Sequence, residues 1–141
     1  MAKYILGEDQ AETKRLITQA AGDPVEDLFC WAGVTPGMRV IDAGCGPGEY
    51  SRTLARLVGP TGDVQAFDIS AARIEAAKAR SSEAESSPIS FSTGDVYAPP
   101  LPDGEADFVL CQFVFEYLAD PDRAVAALVR LLKPGGILPV S

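Results

Sequence analysis

Val40-Ile-Asp-Ala-Gly-Cys-Gly-Pro-Gly48 joins an apolar run ending in Asp42 to glycines at every second position, Gly44, Gly46 and Gly48. The run from Arg39 to Ala43 suits a buried strand, because strands covered on both faces are apolar nearly throughout. Glycines belong where a backbone turns sharply or lets a ligand approach with no Cβ in the way. From Tyr50 to Val58 the pattern becomes helical, with Leu54, Leu57 and Val58 facing inward. The order strand, glycine loop, helix predicts a doubly wound α/β sheet, in which ligands bind at the carboxyl ends of the strands.

The flanking sequence repeats that alternation. Asp63 to Phe67 predicts a second strand and Ile89 to Ser92 a third. Between them Ser70 caps a helix through about Arg80, with Ile74, Ala77 and Lys78 stepping round it. Ala106 to Cys111 reads as a fourth strand, and Asp120 with Pro121 opens a helix whose stripe is Val125, Leu128 and Leu132. Lys133-Pro-Gly-Gly136 ends that helix, and Ile137 to Val140 begins a fifth strand. Upstream, Glu8 to Ala20 and Asp23 to Ala32 read as helices, a segment over residues 1–33 within one domain spanning 1–141. Ser81 to Ser87 is a surface loop, and the prolines and glycine between Tyr97 and Gly104 require another.

Composition narrows the partners. Twelve Lys and Arg against twenty Asp and Glu give a net charge of −8, which argues against a nucleic acid bound through its phosphates. No apolar run approaches the ~20 residues of a membrane span. Cys30, Cys45 and Cys111 have no CxxC spacing, so neither a disulfide framework nor a zinc site is expected. A cytoplasmic location fits that usage. The chain has no histidine, which removes the commonest general base and metal ligand.

Three carboxylates stand at predicted strand ends. Asp68 lies twenty residues after Gly48, where a carboxylate accepts hydrogen bonds from both hydroxyls of a ribose. A nicotinamide cofactor would use the same arrangement, and a plain turn residue would occupy the same place. The glycine spacing differs from the nicotinamide pattern, whose third glycine follows the second by three residues rather than two. Gly94-Asp95-Val96 follows the third strand, where an acidic side chain can accept from an adenine amino group or close an Asx turn.

Together these stretches resemble the class I S-adenosylmethionine-dependent methyltransferases, most of all the small-molecule group that includes the ubiquinone and menaquinone methyltransferases. The matching segments are Val40 to Tyr50, Gly62 to Ser70, Gly94-Asp95, Asp107 to Leu110 and Leu132 to Gly136, in the family's order and spacing. The resemblance implies a Rossmann-like parallel sheet of about five strands in the order 3-2-1-4-5. It implies that Asp42, Ala43 and the loop Gly44, Cys45, Gly46, Gly48 hold the methionine portion of S-adenosyl-L-methionine. Asp68 would take the ribose hydroxyls and Ile69 the adenine face, while Gly94, Asp95 and Val96 would meet the adenine edge. Cys111 and Gln112 would line the site near the sulfonium. Tyr4, Arg15 and Gln19 are candidates for a lid.

The implied reaction is methyl transfer to a small-molecule acceptor, in which positioning supplies much of the catalysis. Any base from this chain would be a carboxylate or a tyrosine. Glu116 and Tyr117 stand where many members of the family carry a histidine, so no catalytic residue is assigned. Family members usually have seven strands, and a chain ending inside the fifth would lack the final two. That implies either a sheet edge covered by a second copy or a partner chain, or a fragment, and it keeps open a cofactor-binding module, subunit or fragment without activity of its own. A nicotinamide-dependent oxidoreductase is the remaining alternative.

Overall fold

The computed structural model describes residues 2–4, 24–80, 88–111 and 118–140. In chain order the elements are β1 (Ala2–Tyr4), α1 (Pro24–Ala32), β2 (Arg39–Ala43), α2 (Glu49–Val58), β3 (Asp63–Asp68), α3 (Ala71–Arg80), β4 (Ile89–Thr93), β5 (Ala106–Cys111), α4 (Pro121–Val129) and β6 (Leu132–Val140). The strands form one sheet in the order β1-β6-β5-β2-β3-β4, with every pairing parallel. Without β1, this is the expected order 3-2-1-4-5.

Strand periodicity sorts the core into two layers. Val40 of β2 and Phe108 and Leu110 of β5 meet Phe29 and Ala32 of α1 and Leu54, Ala55 and Val58 of α2. Their neighbours Ile41, Val109 and Cys111 point the other way, onto Ala124 and Leu128 of α4. Ile74 of α3 packs on Ala66 of β3. Phe29, Phe67, Phe108 and Leu54 are fully buried, and burial of such a side chain contributes ~1.5–3 kcal/mol. With helices on both faces, the ligand-accessible ground is left at the strand ends.

The helix starts follow their capping residues. Asp120 Oδ1 accepts from Arg123 N–H at 3.2 Å, with Pro121 in the first turn. Ser70 Oγ accepts from Arg73 N–H at 3.3 Å. At the opposite end of the sheet, ion pairs tie the strand starts together. Asp107 accepts from Arg39 N–H at 2.8 Å and from Lys133 Nζ at 3.1 Å, and Arg39 also pairs with Glu105 and Asp63. Partial burial works against ionisation of Asp107, but these donors and charges outweigh it and hold its carboxyl below the usual value.

Some expectations change. Ala2–Tyr4, expected within a helical segment, form a strand beside Leu138–Val140 of β6. The outer edge of β6 offers backbone donors and acceptors, and β1 pairs with them. The edge expected to be open is therefore occupied there by this chain. The predicted helix over 8–20 lies outside the described residues. α4 ends at Val129, so Leu132 belongs to β6 rather than to the helix stripe, and Ala124 and Ala127 replace it in the core. β6 starts at Leu132, earlier than Ile137. Its partners on β5 run Ala106↔Leu132 and then Phe108↔Ile137, so the Lys133-Pro-Gly-Gly136 stretch bulges out of register. Lys78 is exposed, because only Ile74 and Ala77 of α3 reach the sheet.

Replacing Asp120 with Ala should cost ~1 kcal/mol of stability by leaving the Arg123 amide uncapped. Asp120→Asn should retain most of it. Chemical unfolding of both variants checks this, and an equal loss in the two would contradict the capping role.

Candidate functional site

The β2 carboxyl end, the loop after it and the β3 end form one tied unit. Gly44 N–H and Cys45 N–H both donate to the Phe67 carbonyl, at 2.8 and 3.0 Å. Gly46 N–H donates to Asp68 Oδ1 at 3.1 Å, and Ser70 N–H donates to Asp68 Oδ2 at 2.9 Å. The loop backbone has positive φ at all three glycines. Gly48 is needed twice over: its φ is +85°, and an added Cβ would lie 3.1 Å from the Phe91 ring. Gly46, at φ +55°, would meet nothing within 4 Å, so its backbone faces open space.

That space is a cavity of about 780 Å³, within the ~300–1,000 Å³ of small-molecule sites. Its wall brings together most of the sequence-predicted residues: Asp42, Gly44, Cys45, Gly46, Asp68, Ile69, Gly94, Asp95 and Val96. Ile69 is 71% exposed there, a large apolar side chain without cover. Asp95 Oδ1 accepts from Tyr97 N–H at 2.9 Å, closing an Asx-type turn.

Three predicted residues are not in the wall. Ala43 is fully buried in the core, and Gly48 is packed behind the loop. Cys111 is the last residue of β5, and strand parity turns it into the α4 layer, where it is 1% exposed. Gln112, Arg15, Gln19, Glu116 and Tyr117 lie outside the described residues, as does the side chain of Tyr4.

The wall also includes Pro47, Glu49, Tyr50, Arg73, Tyr97 and Leu118. Glu49 and Tyr50 could have been found, since they open the helix that directly follows the glycine loop. α2 has no side-chain cap at Gly48, so its first amides depend on other partners. Arg73 reaches Asp68 at 4.0 Å. Tyr97 is held by Asp120 N–H, which donates to its hydroxyl at 3.0 Å, and by the Arg123 guanidinium 4.8 Å from its ring. Nothing local in the sequence marks those contacts.

A family model described as "Methyltransferase domain" matches residues 41–140, which contain this loop, most of β2 and all of β3 to β6. The chain belongs to the methyltransferase domain family. Over 108 residues it is 36% identical to the ubiquinone/menaquinone biosynthesis C-methyltransferase UbiE of Pseudomonas aeruginosa (strain LESB58), covering 76% of this chain and 42% of that protein. The chain thus spans less than half of that relative's length. A SAM-dependent methyltransferase from Aquifex aeolicus shares the fold with a TM-score of 0.69 at 26% identity, over 86% of this chain and 68% of the other. CrArsM, an arsenic(III) S-adenosylmethionine methyltransferase from Chlamydomonas reinhardtii, aligns at a TM-score of 0.68 and 28% identity, over 75% and 38%.

The cofactor of the family is S-adenosylmethionine, and this methyltransferase domain has residues that fit it. The cavity has the volume, loop backbone opens onto it without a Cβ, and an uncovered apolar side chain and two further carboxylates stand at the β3 and β4 ends. Among the described residues no cluster of side chains could hold a metal ion, and no helix is long and apolar enough to cross a membrane.

Charge in the wall is shaped by burial. Asp42 is 2% exposed, and Ser51 Oγ donates to its Oδ2 at 2.7 Å. Burial raises its carboxyl most, the Ser51 bond pulls it back, and the Asp68 charge adds to the rise, leaving it at about 6. Burial and the same two carboxylates push the Cys45 thiol up to about 12, and burial with Asp42 does so for Cys111. Both thiols stay protonated at neutral pH and are not nucleophiles.

The folded Asp42 carboxyl binds its proton more tightly than the unfolded one, whose value is 3.8. Its stabilising effect is therefore present below that value and is lost as the pH rises to about 6. Asp42→Asn should match the wild type in stability near pH 4 and exceed it by ~3 kcal/mol at pH 8. Urea unfolding at the two pH values checks this. A difference that does not change with pH would contradict it.

Proposed function

We propose that this chain is the cofactor-binding core of a methyltransferase that passes the methyl group of S-adenosylmethionine to a small-molecule acceptor. The observation that carries the assignment of the cavity is Asp68. Each of its carboxylate oxygens accepts one amide, from Gly46 and from Ser70. A carboxylate has about four lone-pair sites, so acceptor capacity remains on both oxygens for a pair of ribose hydroxyls. Its neighbour Ile69 offers an exposed apolar surface for the adenine face. Across the cavity, Gly94, Asp95 and Val96 stand at the adenine edge. Asp42 and the Gly44 to Gly48 loop take the methionine end, where the α2 N-terminus favours a carboxylate.

When bound, the cofactor supplies an electrophilic methyl group on a sulfonium. The chain's own contribution is to bind and orient. With a good leaving group already in place, alignment supplies much of the rate. No histidine is present in the chain, and the Cys45 thiol in the wall stays protonated. Any base that this chain supplies is thus a carboxylate or a tyrosine, and an acceptor that is already nucleophilic needs none. Similarity to the UbiE C-methyltransferase supports a carbon nucleophile as its class. The net charge of −8 supports a small-molecule acceptor over nucleic acid.

Incubation with methyl-labelled cofactor and a panel of electron-rich aromatic acceptors should move label onto carbon. Binding without transfer to any acceptor would favour a binding module, and no binding would overturn the proposal. Asp68→Ala should weaken cofactor binding by ~1–3 kcal/mol, roughly 5- to 150-fold, by calorimetry on protein whose circular dichroism is unchanged. Equal affinity would reduce Asp68 to a turn residue.

A further inference from the structure

Asp42 presents a problem that the fold does not solve by itself. It is buried, it lines the cavity, and its hydrogen-bond donor among the described residues is the neutral Ser51 hydroxyl. No described lysine or arginine stands within ion-pair range of it. Arg73, the cation in the cavity wall, reaches Asp68 instead, at 4.0 Å. The ionisable groups facing Asp42 are Asp68 from β3, Cys45 from the loop and Cys111 from β5, none of them positive. Glu49 and Tyr50 of α2, which share the cavity wall, add no cation. A charge buried without a partner is costly, and such a group takes up a proton instead.

We infer that Asp42 is a proton-linked counter-charge for the cofactor: it holds a proton in the empty cavity and gives that proton up when a cationic ligand end is seated beside it. This rests on the reading of the cavity as the S-adenosylmethionine site. The step is an acid dissociation. The carboxyl O–H bond breaks, the proton passes to solvent buffer, and the carboxylate left behind pairs with the ammonium or sulfonium charge of the methionine end. Burial strengthens that pairing, because little water remains to screen it. The value of about 6 for the empty site puts the exchange in the range where uptake changes the protonation of a sizeable fraction of molecules. Adenosine has neither cation and leaves the proton in place.

Calorimetry of the whole chain with S-adenosylmethionine, in two buffers of different ionisation heat at pH 6, counts the protons released. About half a proton per cofactor is expected, and none with adenosine. The ligand's own α-amino group, at ~7.7–8.0, stays charged between pH 5 and 7. Over that range affinity should rise about tenfold, since only the ionised fraction is competent. Asp42→Asn should bind with no proton release and no pH dependence. Binding of S-adenosylmethionine by wild type with no proton release and a flat pH profile overturns the linkage while the cofactor reading stands. Failure of both S-adenosylmethionine and adenosine to bind overturns the cofactor reading itself.

Discussion

The carboxylate of Asp68 accepts Gly46 N–H with one oxygen and Ser70 N–H with the other, and through these bonds the end of β3 fixes the loop that leaves β2. The parallel register that sets Ala43 against Phe67 makes this possible, because it brings the two strand ends level. The Phe67 carbonyl then collects the first two loop amides. Glycine conformations at 44, 46 and 48 let the loop turn into α2. The result is a hydrogen-bonded rim around a cavity at the carboxyl ends of the strands. One carboxylate thus has two duties. It organises the rim, and it keeps enough acceptor capacity to read a ligand.

The electrostatics of that rim follow from the same geometry. Asp42, one residue before the end of β2, and Asp68, the last residue of the adjacent β3, both line the cavity and both are buried. Their mutual repulsion and the burial of Asp42 make the empty site unfavourable for two full negative charges. A pocket of this kind has an intrinsic preference for a ligand that brings positive charge. At the far end of the sheet the carboxylates have cationic partners instead, with Arg39 and Lys133 shared among Asp63, Glu105 and Asp107. These exposed pairs are individually worth ~0–1 kcal/mol, and they sit where no chemistry is expected.

Much of this was legible in the sequence because the deciding features are local. The apolar run into Asp42, the alternate glycines, the Ser70 and Asp120 caps and the strand-end position of Asp68 each lie within a few residues of what they control. What was not legible depends on distant partners. Cys111 ends a strand that points at the site, yet alternation turns its thiol into the α4 core. Tyr97 and Arg73 reach the cavity only because α4 and α3 pack where they do. The pairing of Ala2–Tyr4 with β6 links opposite ends of the chain, and three residues give no usable period. The bulge at Lys133-Pro-Gly-Gly136 reads locally as a helix stop, and its inclusion in β6 shows only in the register with β5.

The cavity at the strand ends is the proposed cofactor site. Amide hydrogen exchange across the chain, with and without S-adenosylmethionine, tests that directly. Slowed exchange confined to the Gly44 to Gly48 loop, to Ile69 and Ser70, and to Asp95 to Tyr97 is the predicted footprint. Protection centred elsewhere, with these three stretches unchanged on a saturated protein, would contradict it.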